Sequence, residues 1–413
     1  MRFVSTRGAA PAMTLVDAIV KGLAPDGGLY VPDAMPRADL DALRAAPTLA
    51  TRATVLLTPW FAGDLLAPSL PAICEAAFTF DAPLVALEDD RVLELFHGPT
   101  AAFKDFGARF LAETLTRAGA GGTVLVATSG DTGAAVAAAF SGRPDFEVVV
   151  LYPDGRVSPR QAHQLGAFGG NVRALRVAGS FDDCQALVKR AFCDEALTKK
   201  HGLRSANSIS LGRLLPQMAY YAHTAMQVEG ASFVVPTGNL GNAQACLWAR
   251  AMGLPIDRVV LATNANRVLV ELVHGGQWSP GASRATLANA MDVGAPSNVE
   301  RLRTMYTDAE LANAVTAESV DDVTIRRTIV ETWRDHRYAL CPHTACAVAV
   351  RRHQVGGPWV VVATAHPAKF ESIVEPLIGE VIPAPPALAA LLSRPSYAEL
   401  LPADYDAFVA ALG

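Results

Sequence analysis

The residues with the most chemical potential lie in the run Leu95-Phe96-His97-Gly98-Pro99-Thr100-Ala101-Ala102-Phe103-Lys104-Asp105-Phe106-Gly107. Lys104 stands between two aromatics, Phe103 and Phe106, with Asp105 beside it. A lysine in apolar surroundings loses hydration and is driven toward the neutral amine. A neutral amine is a nucleophile and a base suited to Schiff-base chemistry. Most lysines are solvated and only lay their stems over apolar neighbours, so Lys104 needs support from the rest of the chain.

Three further loops supply it. Gly238-Asn239-Leu240-Gly241-Asn242 follows the apolar run Ser232–Val235 and opens a helical pattern. Glycines there let backbone approach a ligand, and a helix N-terminus favours a phosphate. No Gly-Lys-Ser/Thr closes the loop, so it is not a nucleotide P-loop. Ser129-Gly130-Asp131-Thr132-Gly133 has the same strand–turn–helix setting. Its donors suit a carboxylate; the plainer reading is a capped helix with Ser129 or Asp131 as N-cap. Thr364 ends the apolar run Trp359–Ala363, where its hydroxyl could meet a ligand heteroatom or a nearby carbonyl. His366 reads as structural. A Schiff-base lysine, a phosphate cradle and a strand-end hydroxyl together suit pyridoxal 5′-phosphate (PLP).

These residues need a rigid frame. From residue 121 the pattern repeats strand, turn, helix: Thr123–Thr128, Phe146–Tyr152 and Asn171–Val177 are short β-rich apolar runs separated by helical segments. Such alternation argues for parallel strands with crossover helices, whose ligands bind at the carboxyl ends of the strands. Residues 1–88 read as a helical N-terminal domain, with Leu15, Ile19 and Leu23 at four-residue steps. Residues 119–202 read as a small inserted α/β domain, and 89–118 with 203–413 as a large cofactor-binding domain. One long helix is expected over 212–228. Residues 275–320 show no clear periodicity, and the chain ends in helices.

Bulk properties agree with a globular enzyme. The 413 residues are 51% hydrophobic and 18% charged, enough for two or three domains with a real core. The net charge of −5 offers no footprint for nucleic acid or an anionic membrane. No membrane span or signal peptide is expected. The six cysteines form no C-x-x-C pair and read as buried thiols in a reducing cytoplasm; the nine histidines show no metal-ligand spacing.

The same loops resemble the threonine synthase family, PLP enzymes of fold type II in the tryptophan-synthase-β-like group. The resemblance runs through nearly the whole length. It rests on Pro25-Asp26-Gly27-Gly28-Leu29-Tyr30-Val31-Pro32, the Lys104 run, Ala127–Gly133, Asn207-Ser208-Ile209-Ser210, Gly238–Asn242, Asn289-Ala290-Met291-Asp292-Val293 and Thr364-Ala365-His366-Pro367-Ala368-Lys369-Phe370. The first and last of these are the most particular. The resemblance implies two open, mostly parallel sheets flanked by helices. It implies that Lys104 carries the cofactor, that Gly238, Asn239, Leu240, Gly241 and Asn242 hold its phosphate, and that Thr364 meets its ring nitrogen. The loop with Ser129, Gly130, Asp131 and Thr132 would hold the substrate carboxylate, near Asn207 and Ser208. The candidates for the substrate phosphate are Arg109, Arg160, Arg213, Ser208 and Lys369. The implied reaction takes O-phosphohomoserine and water to threonine and phosphate, in a cytoplasmic monomer or homodimer. The rival within the group is a threonine or serine dehydratase, or a phospho-lyase releasing 2-oxobutyrate. Three positions depart from the family pattern: Leu240 for a common Phe, Arg267 for an acidic or amide residue, and Cys341 for Asp.

Overall fold

The computed structural model describes residues 1–275 and 278–413. Two sheets dominate. The larger has six strands in the order Thr316–Ser319, Ile256–Thr263, Ala231–Pro236, Trp359–Ala363, Asp90–Glu94, Leu84–Leu87. Every neighbouring pair is parallel except the last. The smaller has five parallel strands, in the order Glu399–Pro402, Val172–Ala178, Phe146–Pro153, Gly122–Ala127, Arg204–Ser205. The central strands are buried along nearly their whole length, Ala231–Pro236 and Trp359–Ala363 at every residue. That matches their unbroken apolar sequences, because helices cover both faces of a parallel sheet.

Four features depart from the sequence reading. Thr316–Ser319 is an edge strand within the stretch that lacked periodicity; its Thr-Ala-Glu-Ser sequence carries no apolar run. Glu399–Pro402 is a strand near the end of the chain, and it joins the smaller sheet by pairing with Val172–Ala178. The smaller sheet therefore draws on residues beyond 119–202. The long helix expected over 212–228 is three pieces, Leu211–Leu214, Leu215–Gln217 and Met218–Ala225. Pro216 has no N–H to donate to the helical ladder and resets it. Lastly, Cys193 is exposed, whereas the other five thiols are buried.

The N-terminal region adds helices at Leu15–Lys21, Leu40–Ala45, Leu49–Leu57 and Leu70–Ala77. It also has an antiparallel ribbon, Phe3–Ser5 with Tyr30–Pro32. Asp26 closes the turn between them, accepting from Ser5 Oγ at 2.7 Å and from the Gly28 and Ala9 N–H groups at 2.9 and 3.0 Å. The region shares its core with the large sheet: Trp60 packs on Trp248 at 5.3 Å between ring centroids. Among the described residues no helix is long and apolar enough to cross a membrane.

Candidate active site

The helix Lys104–Arg117 begins with Lys104 itself. Its entry is held from two sides. Asp105 accepts from the Thr100 N–H at 2.9 Å and from Thr100 Oγ1 at 2.7 Å, which closes the Gly98–Thr100 turn. Gly98 has to be glycine, because a Cβ there would sit 2.5 Å from the Asp105 carboxylate. On the other side the Phe103 N–H donates to the Thr364 carbonyl at 2.8 Å, and the His366 N–H to Ala101 at 3.0 Å. The lysine is thereby tied to the end of the strand Trp359–Ala363.

Lys104 opens into a cavity. Its walls include Phe103, Asp131, Ser208, Pro236–Asn242, Ala290, Met291, His343 and Thr364. Lys104 Nζ lies 4.5 Å from the Phe103 ring centroid. Burial, and then the positive charge of Arg213, pull its pKa from 10.5 to about 7, against the opposing pull of Asp131. Near neutral pH a large share of Lys104 is therefore free amine.

Opposite Lys104 the strand Ala231–Pro236 runs into Thr237–Leu240, and the helix Gly241–Ala251 starts. Leu240 adopts φ +64°, a left-handed conformation that costs a branched side chain about 1–2 kcal/mol. Its effect is to start the helix abruptly at the cavity wall, where the first-turn N–H groups have no partners within the helix. Gly238 is needed for a different reason, since a Cβ would come within 2.8 Å of Met291 Cα. Asn239 is occupied structurally: Nδ2 donates to Ser208 Oγ at 2.6 Å, and Oδ1 accepts from the Ser297 N–H at 2.5 Å. Asn242 Oδ1 accepts from both Tyr220 and Tyr221, at 2.5 and 2.8 Å. Its Nδ2 is buried without a partner. A helix N-terminus, an unpartnered amide donor and a glycine that cannot be enlarged fit a phosphate-bearing aromatic cofactor such as PLP.

The Ser129–Gly133 loop is built differently from its sequence reading. Neither Ser129 nor Asp131 caps the helix Asp131–Phe140. Gly130 takes the N-cap position at φ +133°, and Thr128 Oγ1 accepts from the Gly130 and Gly133 N–H groups at 3.0 and 2.9 Å. Asp131 is buried and pairs with Lys369, Nζ to Oδ1 2.9 Å, while Gln161 Nε2 donates to the same oxygen at 3.0 Å. Burial alone would raise the Asp131 carboxyl; the Lys369 ammonium and the His343 side chain outweigh it, and it sits below the ordinary range.

Four candidates for the substrate phosphate lie off the cavity wall. Arg109 donates to the Ala76 and Ala77 carbonyls at the end of the helix Leu70–Ala77. Arg160 donates to the Ala368 carbonyl and faces Glu371 and Glu375. Arg213 is fully buried and donates to the Ala206 carbonyl. Lys369 is paired with Asp131 and also donates to the Thr100 carbonyl at 2.7 Å. Ser208 alone of the five lines the cavity. Ser129, Gly130, Thr132 and Asn207 do not line it, although Asn207 Oδ1 is buried and unpartnered.

The sequence reading missed His343. Burial lowers its pKa to about 4, with Lys104 and Lys369 adding to that effect against Asp131. Its Nε2 accepts from the Ala290 N–H at 3.1 Å, which puts the ring proton on Nδ1. A lone histidine after Pro342 gives no signal in sequence. Cys341 takes the N-cap of the helix Pro342–Arg351, accepting from the Thr344 N–H at 3.4 Å.

Comparison with known proteins decides the family. A family model described as "Pyridoxal-phosphate dependent enzyme" matches residues 92–365. "Threonine synthase N terminus" matches 2–78, and "Threonine synthase, C-terminal" matches 344–411. The threonine synthase of Escherichia coli K12 is 42% identical over 412 residues, covering 96% of this chain and 95% of the relative. The chain belongs to the threonine synthase family. The crystal structure of the Escherichia coli threonine synthase superposes at TM-score 0.93 with 39% identity, covering 100% of this chain and 99% of the other. The PLP-bound threonine synthase of Brucella melitensis superposes at TM-score 0.90 with 34% identity, covering 100% and 98%. Members of other PLP families share the fold at lower similarity, for example maize serine racemase at TM-score 0.56 and 17% identity. The fold is PLP fold type II.

Proposed function

We propose that this protein is a PLP-dependent lyase that converts O-phosphohomoserine and water into threonine and phosphate. The observation that carries the reading is Lys104. It is a largely buried lysine drawn to a pKa of about 7, in one cavity with the helix N-terminus at Gly241. Bound there, PLP supplies a conjugated electron sink for charge left on carbon when a proton departs.

The chain's own residues do the rest. Lys104 would hold the cofactor through its aldehyde and, once released by the substrate amine, move protons at Cα and Cβ. Its free-amine character at neutral pH suits both tasks. Gly238–Asn242 would hold the cofactor phosphate, Asn242 Nδ2 a polar oxygen, and Thr364 the ring nitrogen. A neutral hydroxyl at that nitrogen would leave it unprotonated and moderate the electron sink the cofactor supplies. Ser208, on the same wall, is the remaining candidate for the substrate phosphate, and the Ser129–Thr132 loop the candidate for its carboxylate.

We take residues 1–88, less the strand Leu84–Leu87 that belongs to the large sheet, as the N-terminal unit, and the rest as a large and a small unit divided near 119 and 202, with Arg204–Ser205 and the last strand rejoining the small one. We place the enzyme in the cytoplasm as a monomer or homodimer acting on a small molecule, with no nucleic-acid or membrane partner.

Product analysis tests the reaction. PLP-loaded protein given O-phosphohomoserine should release threonine and phosphate in equal amounts. Ammonia with 2-oxobutyrate would assign it instead to the dehydratase or phospho-lyase class.

A further inference from the structure

The large sheet carries a second cavity. It sits at the same carboxyl edge as the active cavity, but beyond the strands Ile256–Thr263 and Thr316–Ser319. Its charge is lopsided. Arg267, Arg284, Arg327 and Arg352 line it together with His353. The two acids on its wall are occupied. Glu318 accepts from His353 Nδ1 at 2.9 Å and from Gln354 Nε2 at 2.5 Å. Asp321 caps the helix Asp322–His336 through the Thr324 N–H at 2.8 Å. Arg352 pairs with Glu331 at 2.6 Å, and Arg327 lies 3.9 Å from the same carboxylate. The Arg267 and Arg284 guanidiniums have no ion pair among the described residues.

Guanidiniums without a countercharge on a concave wall are matched to oxyanions, which they bind through paired charge-assisted hydrogen bonds. We propose that this cavity is a second ligand site, for a small polyanion bearing phosphate or several carboxylates, and that its occupancy is felt at the active site. The route is short and hydrogen-bonded. Arg284 exchanges two backbone bonds with the Asn266 side chain: its N–H donates to Oδ1 at 2.7 Å and its carbonyl accepts from Nδ2 at 2.9 Å. Asn266 Nδ2 also reaches Asp292 Oδ1 at 3.3 Å, and Asn264 Nδ2 reaches it at 2.8 Å. Asp292 accepts from Thr286 Oγ1 at 2.7 Å and from the Thr286 N–H at 3.0 Å. The segment so fastened, 284–292, carries Ala290 and Met291 toward its far end; both line the active cavity, with the Ala290 N–H on His343. A ligand drawing Arg267 and Arg284 together bears on the near end of that segment. The coupling part of the proposal rests on the threonine synthase reading; the binding part does not.

The test uses the PLP-loaded protein and its Arg267→Gln/Arg284→Gln variant, with inorganic pyrophosphate and citrate as separate probes in titration calorimetry. At least one probe should bind the parent saturably and lose about tenfold or more in affinity in the variant. Which probe binds separates a phosphate ligand from a polycarboxylate. A Ser208→Ala variant should bind that probe as the parent does, which excludes the active cavity as the source of the heat. Equal affinity in parent and double variant, or no saturable binding of either probe at millimolar concentration, overturns the site. The binding probe should also shift the KM for O-phosphohomoserine in the parent and not in the double variant. Binding lost in the variant with KM indifferent to the probe in both proteins overturns the coupling and keeps the site. Protein that binds the probe but turns over no substrate refutes the reaction and leaves the site standing.

Discussion

Two lysines, Lys369 fully buried and Lys104 largely so, face the same carboxylate and meet opposite fates. Lys369 reaches Asp131 at 2.9 Å and the Thr100 carbonyl at 2.7 Å, and is fully enclosed. Lys104 feels Asp131 only at a distance, faces an aromatic ring and an open cavity, and is pulled toward the neutral form. The contrast shows what makes a lysine chemical. Burial with a partner fixes the charge and makes the group a brace, whereas burial without one lowers the pKa and leaves a nucleophile. The Lys369–Asp131 pair also keeps Asp131 from supplying Lys104 with a close counterion.

The contrast can be broken at either lysine. Lys104→Ala should abolish turnover, by about 10³-fold or more, together with the visible absorbance of bound PLP; steady-state assay and absorption spectroscopy check both. Lys369→Met should leave the absorbance in place but destabilise the protein by about 3–5 kcal/mol, because Asp131 then keeps the Gln161 amide but is buried without a countercharge. Adding Asp131→Asn should restore much of that loss, read by denaturant unfolding of the single and double variants. The sign with pH follows from Asp131 lying below 3.8 in the folded state. The pair's contribution is complete above pH 3.8 and fades as acid protonates Asp131.

Lys104 should show the same sign of pH dependence in a different window. Its folded pKa of about 7 lies below the unfolded 10.5, so the unfolded chain binds more protons between those values. Stability of the cofactor-free protein should rise as pH climbs from 7 toward 10.5. Lys104→Met should flatten that rise and stabilise the cofactor-free protein at pH 7 by about 2–4 kcal/mol. The smallest effect is expected at Arg109, which the cavity excludes. Arg109→Ala should cost about 1–2 kcal/mol of stability through its lost bonds to the Ala76 and Ala77 carbonyls, and leave the KM for O-phosphohomoserine unchanged.

The loops that carry chemistry were legible because each needs special residues at fixed offsets from an apolar strand. Gly238 and Leu240 meet a close backbone approach and a left-handed turn, and the Lys104 run follows a glycine-proline turn. The cations were not legible. A sequence shows that Arg109, Arg160, Arg213 and Lys369 are present, but their partners are carbonyls and carboxylates from distant segments, such as Ala368 for Arg160. Thr128, His343 and Asn242 Nδ2 acquire their roles only when three strand ends meet. Among the elements, Thr316–Ser319 and Glu399–Pro402 were invisible because a short edge strand needs no apolar run. The break at Pro216 was readable from the proline alone.

The most direct test of the Lys104 assignment is chemical. PLP-loaded protein is reduced with borohydride, digested, and the cofactor-bearing peptide is mapped by mass spectrometry. The label should fall on Lys104 in the wild-type protein and vanish in Lys104→Ala. Label on Lys369 or any other lysine, or no covalent label at all, would contradict the account.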